Sequence, residues 1–436
     1  MSRQLHLGLN TFALGTHPAA WRRPQADPQA PITLAAYEEI ARTAERGLLD
    51  VVFFADVLTL ADNPAFDPCW FIDPTILIAA MAQATERIGF VASYTTTYAH
   101  PYTVARLFSS LDHVSGGRVG WNVVTGYDEP SARNFGDAQL PDKALRYRRA
   151  DEFVTVVKAL WDSWEEGALV GDKATGTLID YERVHAIDHA GEFFEVAGPL
   201  QVPRSPQGRP VVFQAGGSPA GRDLAAKHAD GIFSSQLELE AAVAYRDDIH
   251  ARAARFGRSG DEITVMPGLQ VIVGSTDEEA RRIQVELDDA GGVTAARLRQ
   301  LAWFVGLDAD TLELDAPLPA DAVPTQSERG LPQGFRDAIG ALLADRTLTV
   351  RDVLARGFGH RLLVGGPETI ADDIERWFRA GAADGFNLMP ESNPDGLARF
   401  VDHVVPLLQE RGIYRREYET SLLNERFASS SLSRSI

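Results

Sequence analysis

Two stretches of this chain carry side chains suited to holding a ligand rather than filling a core. In residues 214–221, QAGGSPAG, Gly216 and Gly217 let the backbone pass close to an anion, Ser218 offers a hydroxyl at a helix start, and Pro219 suits the first helical position. Free N–H groups and the helix dipole then converge on one point, which makes a phosphate cradle. The same residues read equally well as an ordinary N-capped helix after a tight turn, and with no Gly-Lys-Ser/Thr following they do not form a P-loop. The second stretch, residues 115–136, reads SGGRVGWNVVTGYDEPSARNFG: a turn, an apolar strand and a polar loop. Asn122 and Thr125 stand at the exit of that strand, placed either to meet a ligand or to cap the next segment.

Further polar residues fall where other strands end. Asp56 follows the second apolar run, Thr96 and Thr97 the third, His17 the first, and His360 precedes the last strand-helix unit. A loop histidine is either a surface residue or a pH-tuned acid, base or hydrogen-bond donor. The histidines are scattered and no His-Glu-x-x-His helix or cysteine cluster is present, so no metal site is expected. No Gly-x-Ser-x-Gly elbow suggests a hydrolase.

The elements that must position these residues alternate steadily. Strands at residues 5–9, 49–54, 88–93, 118–124, 210–214, 231–234, 263–273 and 385–389 are separated by amphipathic helices, and the near-continuous apolar strands demand a parallel sheet covered on both faces. Eight such units without a Gly-rich dinucleotide turn after the first strand favour a closed (β/α)8 barrel over an open sheet. The chain is thus expected to be a single TIM-barrel domain over residues 1–436. Two excursions interrupt the repeat, residues 165–210 with a small hairpin and residues 291–359 as a lid or binding loop, and residues 413–436 form a C-terminal tail.

Composition sets the outer limits. Lys+Arg 42 against Asp+Glu 61 leaves a formal charge of -19, which argues against nucleic acid or an anionic membrane as partner. The single cysteine, Cys69, permits no internal disulfide, and the longest apolar run, residues 76–82, is far too short to span a bilayer. The first residues read as a strand rather than a signal peptide, so a cytoplasmic location is expected.

Several motifs together closely resemble the bacterial-luciferase-like flavin-dependent monooxygenases: GGRVGWNVVT with ARNFG downstream, ERIGFVASYTTTY, RYRRADEFVTVVKALWDSW, PLQVPRSPQGRPVVFQAGGSPAGRDLAA and GAADGFNLMP. Within that family the chain looks like the group of nitrilotriacetate monooxygenase component A and dibenzothiophene-sulfone monooxygenase, over nearly its whole length. The resemblance implies a TIM barrel that takes reduced FMN as co-substrate from a separate NAD(P)H:flavin reductase, with a homodimer or higher homo-oligomer as the assembly. It implies that reduced FMN reacts with O2 to a C4a-(hydro)peroxide that hydroxylates or cleaves a small organic substrate. Asp56, Thr96, Thr97, Asn122, Tyr147, Gly217 and Ser218 fall on flavin-binding positions, and His17 and His360 on catalytic ones. Lys143 stands where relatives usually carry a histidine, so that position either makes a charge contact to the phosphate or loses one flavin contact. Within the same fold, a deazaflavin-dependent oxidoreductase and a non-catalytic flavin-binding protein are the alternatives. The departures from the family pattern fall in segments that shape the pocket, so the substrate is not copied from any relative.

Overall fold

Val51–Phe54 reads VVFF with all four residues buried. A strand apolar on both faces must be covered on both, by helices outside and by other strands' side chains inside. The computed structural model describes residues 3–60, 72–291, 293–319, 321–322, 333–355 and 359–428. Cys69, residues 61–71 of the segment between Asp56 and Pro74, part of the Pro-rich stretch and the Ser-rich end lie outside the described residues.

The strands in chain order are β1 His6–Asn10, β2 Val51–Phe54, β3 Gly89–Thr95, β4 Val119–Val124, β5 His189–Ala190, β6 Glu195–Val196, β7 Val211–Gln214, β8 Gly231–Ser234, β9 Thr264–Val273, β10 Arg361–Gly365 and β11 Gly385–Pro390. Eight of them run parallel and close as β1-β2-β3-β4-β7-β8-β9-β11, with β11 returning to β1. The closed (β/α)8 barrel expected from the sequence is therefore present. Strands β5 and β6 form a two-stranded antiparallel hairpin within the first excursion.

One strand escapes the sequence reading. After β8 stops pairing at Pro267, β10 takes over the free upper edge of β9, from Arg361 beside Leu269 to Gly365 beside Val273. Four of its five residues are only partly buried. Its apolar run is short and follows an irregular stretch, so it carries little strand signal.

Alternation along β4 separates the two sides of the wall. Trp121 points outward and is fully buried against Phe108, Phe153 and Trp161, while Asn122 points inward. The barrel interior is filled by Val51, Phe53, Val91, Phe213, Phe233 and Met266, together with Leu423 and Phe427 from the C-terminus. Residues 413–428 are thus no loose tail. The helix Leu423–Phe427 enters at the N-terminal ends of the strands, where the Phe427 ring stacks on His6 at 5.2 Å and the Leu423 N–H donates to the Gly117 carbonyl at 2.9 Å. Just before it, Arg415 meets the fully buried carboxylate of Asp50 at 2.7 Å. This plug fills the bottom of the barrel, opposite the strands' C-terminal ends.

The second excursion is more ordered than its sequence pattern. Helices Val293–Val305, Gln333–Ala344 and Val350–Ala355 surround a small core of their own, including Leu301, Phe304, Ile339, Leu342 and Val353. The ARNFG run, read as rim loop, lies mostly in the short helix Glu129–Asn134, which Asp128 caps by accepting from the Ser131 N–H at 2.8 Å. Among the described residues no helix is long and apolar enough to cross a membrane.

Candidate active site

A cavity of about 1000 Å³ opens at the C-terminal ends of the strands. Its wall includes His17, Asp56, Asn122, Lys143, Tyr147, Gly217, Ser218 and His360. These residues are far apart in the chain, and barrel closure gathers them.

At one end lies the glycine turn after β7. The Gln214 side-chain oxygen accepts from the Gly216 N–H at 2.6 Å, and the Ser218 hydroxyl accepts from the Gly221 N–H at 3.2 Å as cap of the helix Pro219–His228. A side chain at Gly216 would place its Cβ 2.5 Å from Gln214, 3.0 Å from the Gly221 Cα and 3.1 Å from the Tyr147 hydroxyl. Glycine is therefore a packing requirement here. Lys143, Arg146 and Arg336 stand at the same cavity. Burial, then repulsion from Arg336 and Arg146, pulls the Lys143 ammonium below its usual range. Several cations and a helix N-terminus on the wall of one cavity suit an anionic ligand.

Across the floor, register decides the contacts. Ser93 of β3 pairs with Asn122 of β4, and the Asn122 amide donates to the Ser93 hydroxyl at 2.8 Å. The Asn122 carbonyl oxygen, the Asn10 carbonyl oxygen and the Ser234 hydroxyl are buried without a hydrogen-bond partner among the described residues. All three residues line the cavity. Unsatisfied polar atoms on a cavity wall are costly unless a ligand satisfies them. Beside them, burial and the nearby Asp73 push Asp56 up to about 6, so its carboxyl can donate as well as accept near neutral pH.

Thr96 and Thr97 lie one step back from the cavity wall. Neither lines the cavity; their hydroxyls donate to the carbonyls of Val124 at 3.2 Å and Thr125 at 2.8 Å. They tie the exit of β3 to the exit of β4 and so fix the rim on which Thr125 sits.

The two histidines differ in their freedom. His17 accepts the Ala19 N–H on Nδ1 at 3.1 Å, so Nε2 carries the proton and donates to Asp288 at 3.3 Å. Both nitrogens are occupied, and the ring positions Asp288. His360 is packed between Phe233, stacked at 5.0 Å, and Phe335, edge-on at 5.2 Å. Gly268 makes room for it, since a Cβ there would lie 2.3 Å from the imidazole. Burial pushes His360 down to about 4, so it is neutral at pH 7.

That burial gives a pH prediction. The unfolded chain protonates His360 near 6.5 and the folded chain near 4, so its contribution is complete above 6.5 and is lost as pH falls towards about 4. The loss is at most about 3 kcal/mol. Replacing His360 by Phe should therefore flatten the fall of melting temperature between those pH values; a fall as steep as the parent's would contradict the assignment.

Asn10, Ser93, Ser234 and Glu391 also line the cavity and went unread, although each sits at or near a strand exit and the strand-end rule could have found them. Arg297 gave no signal because it belongs to a helix of the second excursion, and Asp288 none because it lies on the helix Asp277–Gly291 after β9 and not at a strand exit.

Comparison with known proteins now decides the family. The profile of the luciferase-like monooxygenases matches residues 12–384. The chain belongs to the luciferase-like monooxygenase family. Among its relatives, N-acetyl-S-(2-succino)cysteine monooxygenase of Bacillus subtilis is 42% identical, covering 98% of this chain and 96% of the relative. Nitrilotriacetate monooxygenase component A of Aminobacter aminovorans is 40% identical, with 97% and 96% covered. A crystal structure of a riboflavin lyase with modified FMN and riboflavin superposes with a TM-score of 0.79 at 34% identity, over 97% of this chain and 95% of that one. This luciferase-like monooxygenase is accordingly a flavin-dependent enzyme built on a TIM barrel.

Proposed function

We propose that the protein is the oxygenase of a two-component system, taking reduced FMN from a separate NAD(P)H:flavin reductase and using O2 to oxidise a small organic substrate. The observation that carries the reading is one cavity holding both a phosphate cradle and a row of unsatisfied polar atoms. The residues fit FMN. The Ser218-capped helix start, the Gly216-Gly217 backbone, Lys143, Arg146 and Tyr147 would hold its phosphate, and Asn122, Asn10, Ser234 and Asp56 would meet the polar edges of its ring system. Reduced FMN, when bound, supplies the two electrons with which O2 is split between substrate and water.

The chain's own share is binding, orientation and exclusion of water. His360 presents a neutral imidazole that can donate or accept without bringing charge into the apolar part of the cavity. The helices of residues 291–359 cover the opening as a lid, with Phe335 reaching His360.

The test is oxygen and NADH consumption with an added flavin reductase across amines, thioethers, sulfones and alkanes. Oxygenated or cleaved product supports the reading; peroxide release alone across the panel counts against it. Flavin binding is checked separately, at the phosphate end by Ser218 and at the ring end by Asp56. Ser218→Ala and Asp56→Ala should each weaken reduced FMN about tenfold, the loss of one hydrogen bond to a charged or polar group. Unchanged affinity in both would remove them from the flavin site.

A further inference from the structure

The cavity has a second polar lobe whose wall includes Arg297 and Glu391, with Asp288 paired to Arg297 but itself off the wall. Arg297 lies on the lid helix Val293–Val305 and lines the cavity with its side chain only 14% exposed. Among the described residues it bonds only Asp288, through one terminal nitrogen at 3.3 Å. A guanidinium has five N–H donors in a planar fork. One shared, long contact leaves most of that fork unused on the wall of the cavity.

Asp288 is shared between Arg297 and His17, and burial lowers the His17 imidazole so that it stays neutral at pH 7. The next carboxylate, Glu391, is bound to Arg399 and lies 3.8 Å from Arg23. The His17 backbone N–H donates to the Glu391 carbonyl at 3.1 Å, which joins the two groups into one cluster. Of the three arginines beside these carboxylates, Arg297 alone lines the cavity, in a chain whose formal charge is -19. Local positive charge on an acidic protein attracts an anion.

We propose that this lobe binds a carboxylate of the substrate, with Arg297 as the anchor, so that the enzyme oxidises small organic acids. Arg297 acts as a specificity-determining residue, held in place by Asp288, which His17 orients in turn. The inference deepens the monooxygenase reading and rests on it for the reaction, but binding can be measured without turnover.

Calorimetry on the FMN-loaded protein with nitrilotriacetate, N-acetyl-S-(2-succino)cysteine and succinate, each against its methyl ester, tests it. At least one free acid should bind about ten- to a hundredfold more tightly than its ester, as expected for a charge-assisted pair. Arg297→Gln should abolish that preference, and Arg297→Lys should restore part of it. If Arg297 only clasps the lid to the helix Asp277–Gly291, Arg297→Gln would weaken acid and ester alike, and the proposal falls. It also falls if no acid in the panel binds better than its ester. Oxidation of dimethyl sulfide in the reductase-coupled assay reports separately on the monooxygenase reading: turnover of that neutral thioether without any acid preference sinks the anchor and leaves the oxygenase standing. Acid binding without any oxygenation does the reverse.

Discussion

Replacing Gly216 by Val should give a folded barrel that binds FMN roughly a hundredfold more weakly or not at all. A Cβ at Gly216 would lie 3.0 Å from the Gly221 backbone and 2.5 Å from the Gln214 side chain. Gln214 can yield, but the Gly221 backbone belongs to the first turn of the helix Pro219–His228 and cannot move without tilting the Ser218 cap. The added carbons must therefore push the turn away from the helix start, which separates the N–H groups that converge on the phosphate. Overpacking of this kind costs about 1–3 kcal/mol, which as lost affinity is about ten- to a hundredfold, and loss of the converging donors adds to it. Quenching of FMN fluorescence gives the affinity, and circular dichroism confirms that the barrel persists. Near-parental affinity in a folded Gly216→Val protein would show that the phosphate binds elsewhere.

Truncation after Thr420 should leave a chain that no longer accumulates as soluble protein. The plug contributes Leu423 and Phe427, both buried in the barrel interior, and its loss opens that interior to water. Removing one buried side chain of this size costs about 2–5 kcal/mol, so the two together approach the whole stability of a typical domain. Phe427→Ala is the measurable version. It should lower stability by about 3–5 kcal/mol in urea unfolding while leaving FMN affinity unchanged, because the plug lies at the end of the barrel opposite the cavity. A change below about 1 kcal/mol would mean that the plug is not part of the folded core.

The barrel was legible because its signals are local and repeated. Each strand is an apolar run such as VVFF or GFVAS, each helix has a polar face, and a residue's position at a strand exit can be counted along the chain. That is why His17, Asp56, Asn122, Gly217, Ser218 and His360 could be named before their contacts were known, whereas Lys143 and Tyr147, on the helix Lys143–Trp161, came from the family resemblance alone. Thr96 and Thr97 show the limit of the rule. Strand-end position says that a hydroxyl is near the mouth, but the carbonyls of Val124 and Thr125 one strand away decide where it points.

The remaining differences share a cause. β10 has meaning only against the free edge of β9, and the plug only against a barrel whose bottom is open. Arg297 reaches the cavity wall only because a helix of the second excursion packs beside it. By itself the sequence determined the parallel barrel and the family, since periodicity and contiguous motifs are written in neighbouring residues. The tertiary structure alone decided which polar groups are left unsatisfied and which charges meet, because burial and pairing depend on segments hundreds of residues apart.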